Sequence, residues 1–275
     1  MALTVNTNTA AINALTNYQH TNRSLNNSFQ KISSGLRITK AADDAAGLAV
    51  AENLDAQGQS LRQARRNTND GVSVIQTMEG ATNEVANIVK RMRELAVESR
   101  SETLNSTERT YIQTEFVALK SEVDRIAKVT EFNVLNLGEG TTTTAVQVGV
   151  HNTGNDRISV TGISLSTGTG GLNLVSNELS TTGGASQAIA ALDTALDSLN
   201  TQRAKLGSQQ NRLSSALNNL EVYTENVESA QSQIRDADFA HETAEMAKFQ
   251  IMAQAGTSVL AQANQINQGA LRLLG

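Results

Sequence analysis

The sequence predicts a mainly α-helical protein: long helices from both halves of the chain packed as a rod-like coiled-coil bundle, with a small central β-hairpin region. Three observations carry that prediction. Apolar residues recur at four-then-three spacing through most of the 275 residues, which places them on single helical stripes. No proline interrupts the chain, and an interior proline would cost a helix roughly 3 kcal/mol. Aromatic residues make up only 3% of the chain, too few to fill a thick globular core.

The first helix is expected from about Ala10 to Leu36. Ala11, Leu15, Tyr18, Leu25, Phe29, Ile32 and Leu36 form its stripe, with Asn22 in the one polar slot. From Met1 to Leu36 the only formal charges are Arg23 and Lys31. The pattern breaks at Ser33-Ser34-Gly35 and resumes after Asp43-Asp44, either of which can cap a helix. Ile75, Met78, Val85, Val89, Met92 and Ala96 then continue the spacing until Ser99–Leu104. Asn105-Ser106-Thr107-Glu108 reads as a capping box, and behind it Ile112, Phe116, Leu119, Val123 and Ile126 form another stripe.

From about Thr143 the period switches to two. Val146, Val148 and Val150 alternate with polar residues, as do Ile158 and Val160 beyond the turn-rich His151–Asp156, which signals a β-hairpin. Residues 166–184 are rich in Ser, Thr and Gly and read as a loop, with room for a short strand at the apolar island Leu172–Val175. Leu192, Leu199, Leu206, Leu213, Leu220, Val227 and Ile234 follow at unbroken sevens, with Ile189, Leu196 and Leu217 at the companion position. That helix would be roughly 70 Å long, and its narrow stripe marks a coiled-coil component. Arg203, Gln210, Thr224 and Gln231 leave the companion row imperfect, as suits a bundle of several helices or partners from other molecules. In the last segment Met252, Val259, Ile266 and Leu273 recur every seven residues, flanked by Phe249, Leu260 and Ala263. Three parts follow: an N-terminal helix and linker at 1–43, a helical body at 44–235 with its hairpin at about 141–165 and loop at 166–184, and a C-terminal helix at 236–275.

Several function classes fall away. A net charge of −5 offers nucleic acid no basic face. The chain has no apolar run of about 20 residues to span a membrane, and it does not open on a secretory signal pattern. Without cysteine there is neither a disulfide scaffold nor a thiolate metal site. His20, His151 and His241 lie far apart. His241-Glu242-Thr243-Ala244-Glu245 starts like a zinc-protease helix but has Glu245 where the second imidazole is needed. Asp236-Ala237-Asp238 lacks the further ligands and the glycine of a calcium loop. No nucleophile–base constellation is present, so the expectation is a non-enzymatic protein with no cofactor or metal. The notable feature is instead two amphipathic, charge-poor ends. A stripe on a lone terminal helix has nothing to bury against, and chain ends are ordinarily the least ordered part of a domain.

The motifs resemble those of bacterial flagellins. Met1-Ala2-Leu3-Thr4-Val5-Asn6-Thr7-Asn8, Ile32-Ser33-Ser34-Gly35-Leu36-Arg37-Ile38 and Ala41-Ala42-Asp43-Asp44-Ala45-Ala46-Gly47-Leu48-Ala49 are similar to the family's opening. Arg235-Asp236-Ala237-Asp238-Phe239-Ala240, Glu242-Thr243-Ala244-Glu245-Met246 and Val259-Leu260-Ala261-Gln262-Ala263-Asn264-Gln265 are similar to its end. The resemblance covers about 1–137 and 186–275, which implies a minimal flagellin without large variable outer domains.

By that resemblance the chain would polymerise with itself into the extracellular flagellar filament for motility. Its export would follow the flagellar type III route without a cleaved signal peptide. Disordered ends of the free subunit would pair as helices in the filament core, with Leu15, Tyr18, Leu25, Phe29, Ile32, Phe249, Leu260, Ile266 and Leu273 as contacts. The resemblance also implies hook-junction and cap proteins and an export chaperone as partners. Lys90–Glu98 resembles the stretch read by Toll-like receptor 5, with Arg91, Leu95 and Glu115 at the matching contact positions. Leu271, Leu273 and Leu274 match leucines read by the chaperone or by cytosolic immune receptors. The alternatives are a flagellin-like hook–filament junction protein and a soluble helical signalling ligand.

Overall fold

The computed structural model describes residues 7–140, 142–174 and 178–272, with side chains described as far as residue 265. Among the described residues, five helices, α1 (Thr9–Ser34), α2 (Ala45–Ser99), α3 (Ser106–Val129), α4 (Thr182–Arg235) and α5 (Phe239–Arg272), carry most of the chain. Between α3 and α4 lie β1 (Glu131–Phe132), β2 (Leu135–Asn136), β3 (Thr143–Gln147), a 3₁₀ turn at Gly154–Asp156 and β4 (Arg157–Thr161). The chain packs as two compact units, one of Met1–Gly58 with Asn226–Gly275 and the other of Gln59–Glu225.

In the Gln59–Glu225 unit, the expected stripes form the core. Ile75, Met78, Val85, Val89, Met92 and Ala96 of α2 are buried against Phe116, Val123 and Ile126 of α3 and Leu192, Leu199, Leu206 and Leu213 of α4. The capping box at the start of α3 is complete. Asn105 Oδ1 accepts the Glu108 N–H at 2.9 Å and Glu108 Oε2 accepts the Asn105 N–H at 2.9 Å, which satisfies two otherwise orphaned donors. On α4, the row packed beside the leucine heptad is Ala188, Ala195, Gln202, Gln209 and Ala216. The companions expected from the sequence, Ile189, Leu196 and Leu217, sit one residue over and are only partly covered.

β3 and β4 pair antiparallel from Thr143↔Thr161 to Gln147↔Arg157, and Val146, Ile158 and Val160 turn inward. The hairpin can lie on α2 because Gly71 has no side chain: a Cβ there would stand 2.9 Å from Val146 Cγ2. The strand ends at Gln147, earlier than the alternation suggests. Val148 and Val150 belong to the tip, where the Val148 N–H reaches the Asp156 carbonyl at 2.8 Å.

A second hairpin, β1–β2, was not foreshadowed by any alternation. Its two-residue turn, Asn133-Val134, has positive φ at both positions (47° and 71°), the requirement of the type I′ turn that matches strand twist. The expected strand at Leu172–Val175 is absent among the described residues, and α4 starts at Thr182. Leu172, Leu174 and Leu179 instead plug the core from an irregular loop. Asp124 fastens this loop by accepting both the N–H of Thr167 (2.8 Å) and its hydroxyl (2.7 Å).

In the other unit, Asn8 Oδ1 caps α1 by accepting the Ala11 N–H at 3.0 Å, and Gly35 closes it at φ +70°. Asp44 Oδ1 accepts the Gly47 N–H at 2.8 Å at the start of α2. The two linkers pair through an antiparallel bridge, Leu36↔Asp236. The Arg37 N–H donates to the Arg235 carbonyl (2.7 Å) and the Ala237 N–H to that of Gly35 (2.9 Å). Arg235 also bridges to Glu52 at 3.1 Å.

Candidate functional site

The charge-poor ends meet as an antiparallel helix pair. Asn8 Nδ2 donates to the Ala263 carbonyl at 3.0 Å, Tyr18 faces Gly256, and Lys31 Nζ reaches Glu242 Oε1 at 3.0 Å. Each step up α1 is therefore a step down α5. The row facing the partner helix runs on α1 through Ala11, Ala14, Tyr18, Thr21, Leu25, Ser28 and Ile32, and on α5 through Glu242, Met246, Phe249, Ala253, Gly256, Leu260 and Ala263, with Asn22, Ser24, Lys31, Thr243 and Glu245 beside it also partly covered. Both rows alternate by threes and fours, the spacing of a coiled-coil seam.

Half of the seam positions are small residues. A Cβ at Gly256 would stand 3.2 Å from Tyr18 Cδ2, so glycine is what lets the ring lie flat against α5. Thr21, at the narrow part, turns its hydroxyl onto its own helix, to the Asn17 carbonyl at 3.0 Å. The bulky apolar groups next to the seam are left in the open. Ile12, Leu15 and Phe29 (64% exposed) project from α1, and Ile251 (67%), Met252 and Val259 (54%) from α5.

The expected contact residues thus divide into two groups. Tyr18, Leu25, Ile32, Phe249 and Leu260 are half-buried in the seam, whereas Leu15 and Phe29 lie one residue off it. The α5 heptad that stands out in the sequence, Met252 and Val259, turns away from α1. Ile266 and Leu271 fall where side chains are not described, and Leu273 and Leu274 lie outside the described residues.

The residues singled out by resemblance on α2 and α3 also divide. Arg91 Nη2 pairs with Glu115 Oε1 at 3.0 Å and Arg91 Nη1 with Glu94 Oε2 at 3.1 Å, all at the surface. Hydrogen bonds that the Arg91 guanidinium donates to Glu94 and Glu115 hold it above its ordinary pKa. Leu95, by contrast, is 2% exposed, because its place on the α2 stripe sends it into the core. Its side chain is enclosed in this arrangement.

No cluster of three or more metal-ligating side chains occurs among the described residues. None of the described helices is long and apolar enough to cross a membrane. A concave feature of about 520 Å³ beneath the β3–β4 tip is lined by apolar Leu61 and Leu220, with Arg157, Arg212 and Tyr223. It holds no nucleophile–base arrangement.

Residues 5–143 match the bacterial flagellin N-terminal helical region, and residues 189–274 match the bacterial flagellin C-terminal helical region. The chain is 40% identical to the flagellin of Halalkalibacterium halodurans, with 98% of this chain and 99% of that one covered. It is 38% identical to the flagellar filament core protein flaB2 of Brachyspira hyodysenteriae, again over 98% and 99%. Its alignment with polar flagellin F of Vibrio parahaemolyticus, 33% identical and complete for both chains, runs over 377 positions, so this is a short form. Among solved structures, a protein assigned as hook-associated in the flagellum of Vibrio parahaemolyticus shares the fold. Its TM-score is 0.59 at 13% identity, with 70% of this chain and 100% of that one covered. With both helical halves matched and relatives aligned from end to end, this chain belongs to the bacterial flagellins, as an extracellular, non-enzymatic structural subunit of the flagellar filament that serves motility.

Proposed function

We propose that polymerisation is what completes the burial of the terminal helices, so that their ordering and filament growth are one event. The observation that carries this is the exposed apolar flank on each terminal helix, beside a seam whose large residues are only half-buried. Ordering a chain costs about 1–2 kcal/mol per residue, and a seam in which Tyr18, Leu25, Ile32, Phe249 and Leu260 are half-buried and the other apolar positions are mostly Ala leaves much of that cost to be offset. Packing Leu15, Phe29, Ile251, Met252 and Val259 against neighbouring copies supplies the missing burial. Contacts that join unlike faces without closing into a ring build an open helix, as a filament requires. The seam residues Tyr18, Leu25, Ile32, Phe249 and Leu260 act inside each subunit, and the flanking residues act between subunits.

Val259→Glu tests this. A carboxylate forced into a subunit contact should raise the monomer concentration needed for seeded polymerisation roughly tenfold or more. Thermal unfolding of the Gln59–Glu225 unit should stay as in the parent chain. Normal filaments from Val259→Glu would refute the proposal.

The other partners belong to the same reading: the junction and cap proteins at the filament ends, the export chaperone, and the signal-independent flagellar export route. Recognition by Toll-like receptor 5 would use the exposed Arg91–Glu115 pair with Glu94 beside it, since Leu95 is enclosed. A free signalling ligand is disfavoured by the exposed apolar flanks, which would drive such a protein to aggregate.

A further inference from the structure

We infer that the Lys31–Glu242 ion pair decides which face of α5 turns toward α1, and so which face is left for neighbouring subunits. The inference rests on the proposal that the α1–α5 pair is the form present in the filament. α5 offers two candidate seams about 60° apart around its axis. One runs through Glu242, Phe249, Gly256 and Ala263, and the other through Glu245, Met252 and Val259. The first faces α1 while Met252 and Val259 of the second stand exposed. Large apolar groups stand on both rows, Phe249 on the first and Met252 and Val259 on the second, so hydrophobic burial does not by itself explain the choice.

The charges do. Glu242 is 8% exposed, and a carboxylate so enclosed requires a partner. Lys31 Nζ supplies it at 3.0 Å, in the one ion pair between α1 and α5 among the described residues. Glu245, on the competing face, is instead held by Lys248 of its own helix at 3.0 Å. Lys31 sits in the last turn of α1 and Glu242 in the first turn of α5, where each charge is also favoured by its helix dipole. A 60° rotation of α5 would part the pair and leave both charges without a counterpart. A polar contact that fixes register is the best attested role for a buried ion pair.

Paired cysteines in this cysteine-free chain read the face directly. A Cβ at Gly256 would lie 3.7 Å from Tyr18 Cβ, inside the range of about 3.5–4.5 Å that a disulfide needs. Full-length chains carrying Y18C with G256C, or Y18C with V259C, would be co-assembled at low fraction into wild-type filaments and oxidised. The Gly256 pair should cross-link and the Val259 pair should not. Adding Lys31→Glu, or the milder Lys31→Met, should lower the Gly256 cross-link roughly tenfold, and K31E with E242K should restore it. Unchanged cross-linking in both single variants, or no recovery in the charge-swapped chain, overturns the inference alone. Absence of the Gly256 cross-link in chains with Lys31 and Glu242 intact overturns the underlying reading of the filament, and the inference with it.

Discussion

Replacing Val134 with glycine should make the protein more stable, against the usual expectation for losing an apolar side chain. Val134 holds φ +71° in the β1–β2 turn, a conformation that crowds the Cβ of any L-residue and a β-branched one most. That strain is about 1–2 kcal/mol. The side chain is 89% exposed, so removing it forfeits almost no burial. Glycine returns part of the gain through the greater freedom of the unfolded chain, about 0.5–1 kcal/mol. At the middle of both ranges the net is a stabilisation of about 0.8 kcal/mol, or a rise of about 2–3 °C in the midpoint of a unit this size. Scanning calorimetry of the full chain, following the transition of the Gln59–Glu225 unit, is the assay. Val134→Ala is the control, because it keeps the Cβ and should gain less than glycine. An unchanged or lowered midpoint in Val134→Gly, or an equal gain in Val134→Ala, refutes the argument that backbone strain sits at this turn.

Three other outcomes are expected. Asn105→Ala removes one half of the capping box and should cost about 1 kcal/mol, seen as a lower urea midpoint with an unchanged denaturant slope. Burial, the largest single influence on Asp43, pushes its pKa up. Donors from the Thr39 hydroxyl and the Thr39 and Lys40 amides together outweigh it and hold the carboxyl below its ordinary value. Its stabilising contribution is therefore present above the unfolded pKa and lost as pH falls through the lower folded value, so hydrogen exchange at the Thr39 and Lys40 amides should quicken only below about pH 4. Finally, Arg91→Ala and Glu115→Ala should each weaken Toll-like receptor 5 signalling while leaving the thermal midpoint in place, because the pair is exposed and screened. A midpoint that drops in parallel with signalling would mean that the pair only holds α2 to α3.

How much of this was legible in the sequence follows from what each signal measures. Large apolar residues at sevens located every long helix, and the unbroken leucines of α4 do face the core from Leu192 to Val227. The second row of each seam was misjudged in the same way three times. Leu15 and Phe29 were expected where Ala14 and Ser28 are covered, Ile189 and Leu196 where Ala188 and Ala195 are, and Met252 and Val259 where Gly256 and Ala263 are. Periodicity reports where bulky groups recur, whereas close helix contact selects for small ones, and a shift of one residue turns a side chain by about 100°. The β1–β2 hairpin escaped because two residues per strand hold no period, and valine hides a turn that Asn-Gly would have announced. At the candidate site, the charge-poor ends signalled a need for partners. Which of their residues serve the subunit itself and which are left for others turns, on the inference above, on the pairing of Glu242 with Lys31, which no hydrophobic pattern registers.

The tip of the β3–β4 hairpin has a practical corollary. Its feet, Gln147 and Arg157, are partners in the last rung of the ladder, and Gly154 at its crest has open space where a side chain would go. A guest segment spliced in at the crest would begin and end at points the scaffold already holds together. Lengthening a loop whose ends are fixed adds only about 0.6 kcal/mol per doubling. The same short stretch that keeps this subunit small is thus a natural docking port for cargo, through which a polymer of identical chains could present a foreign peptide at regular intervals along its length.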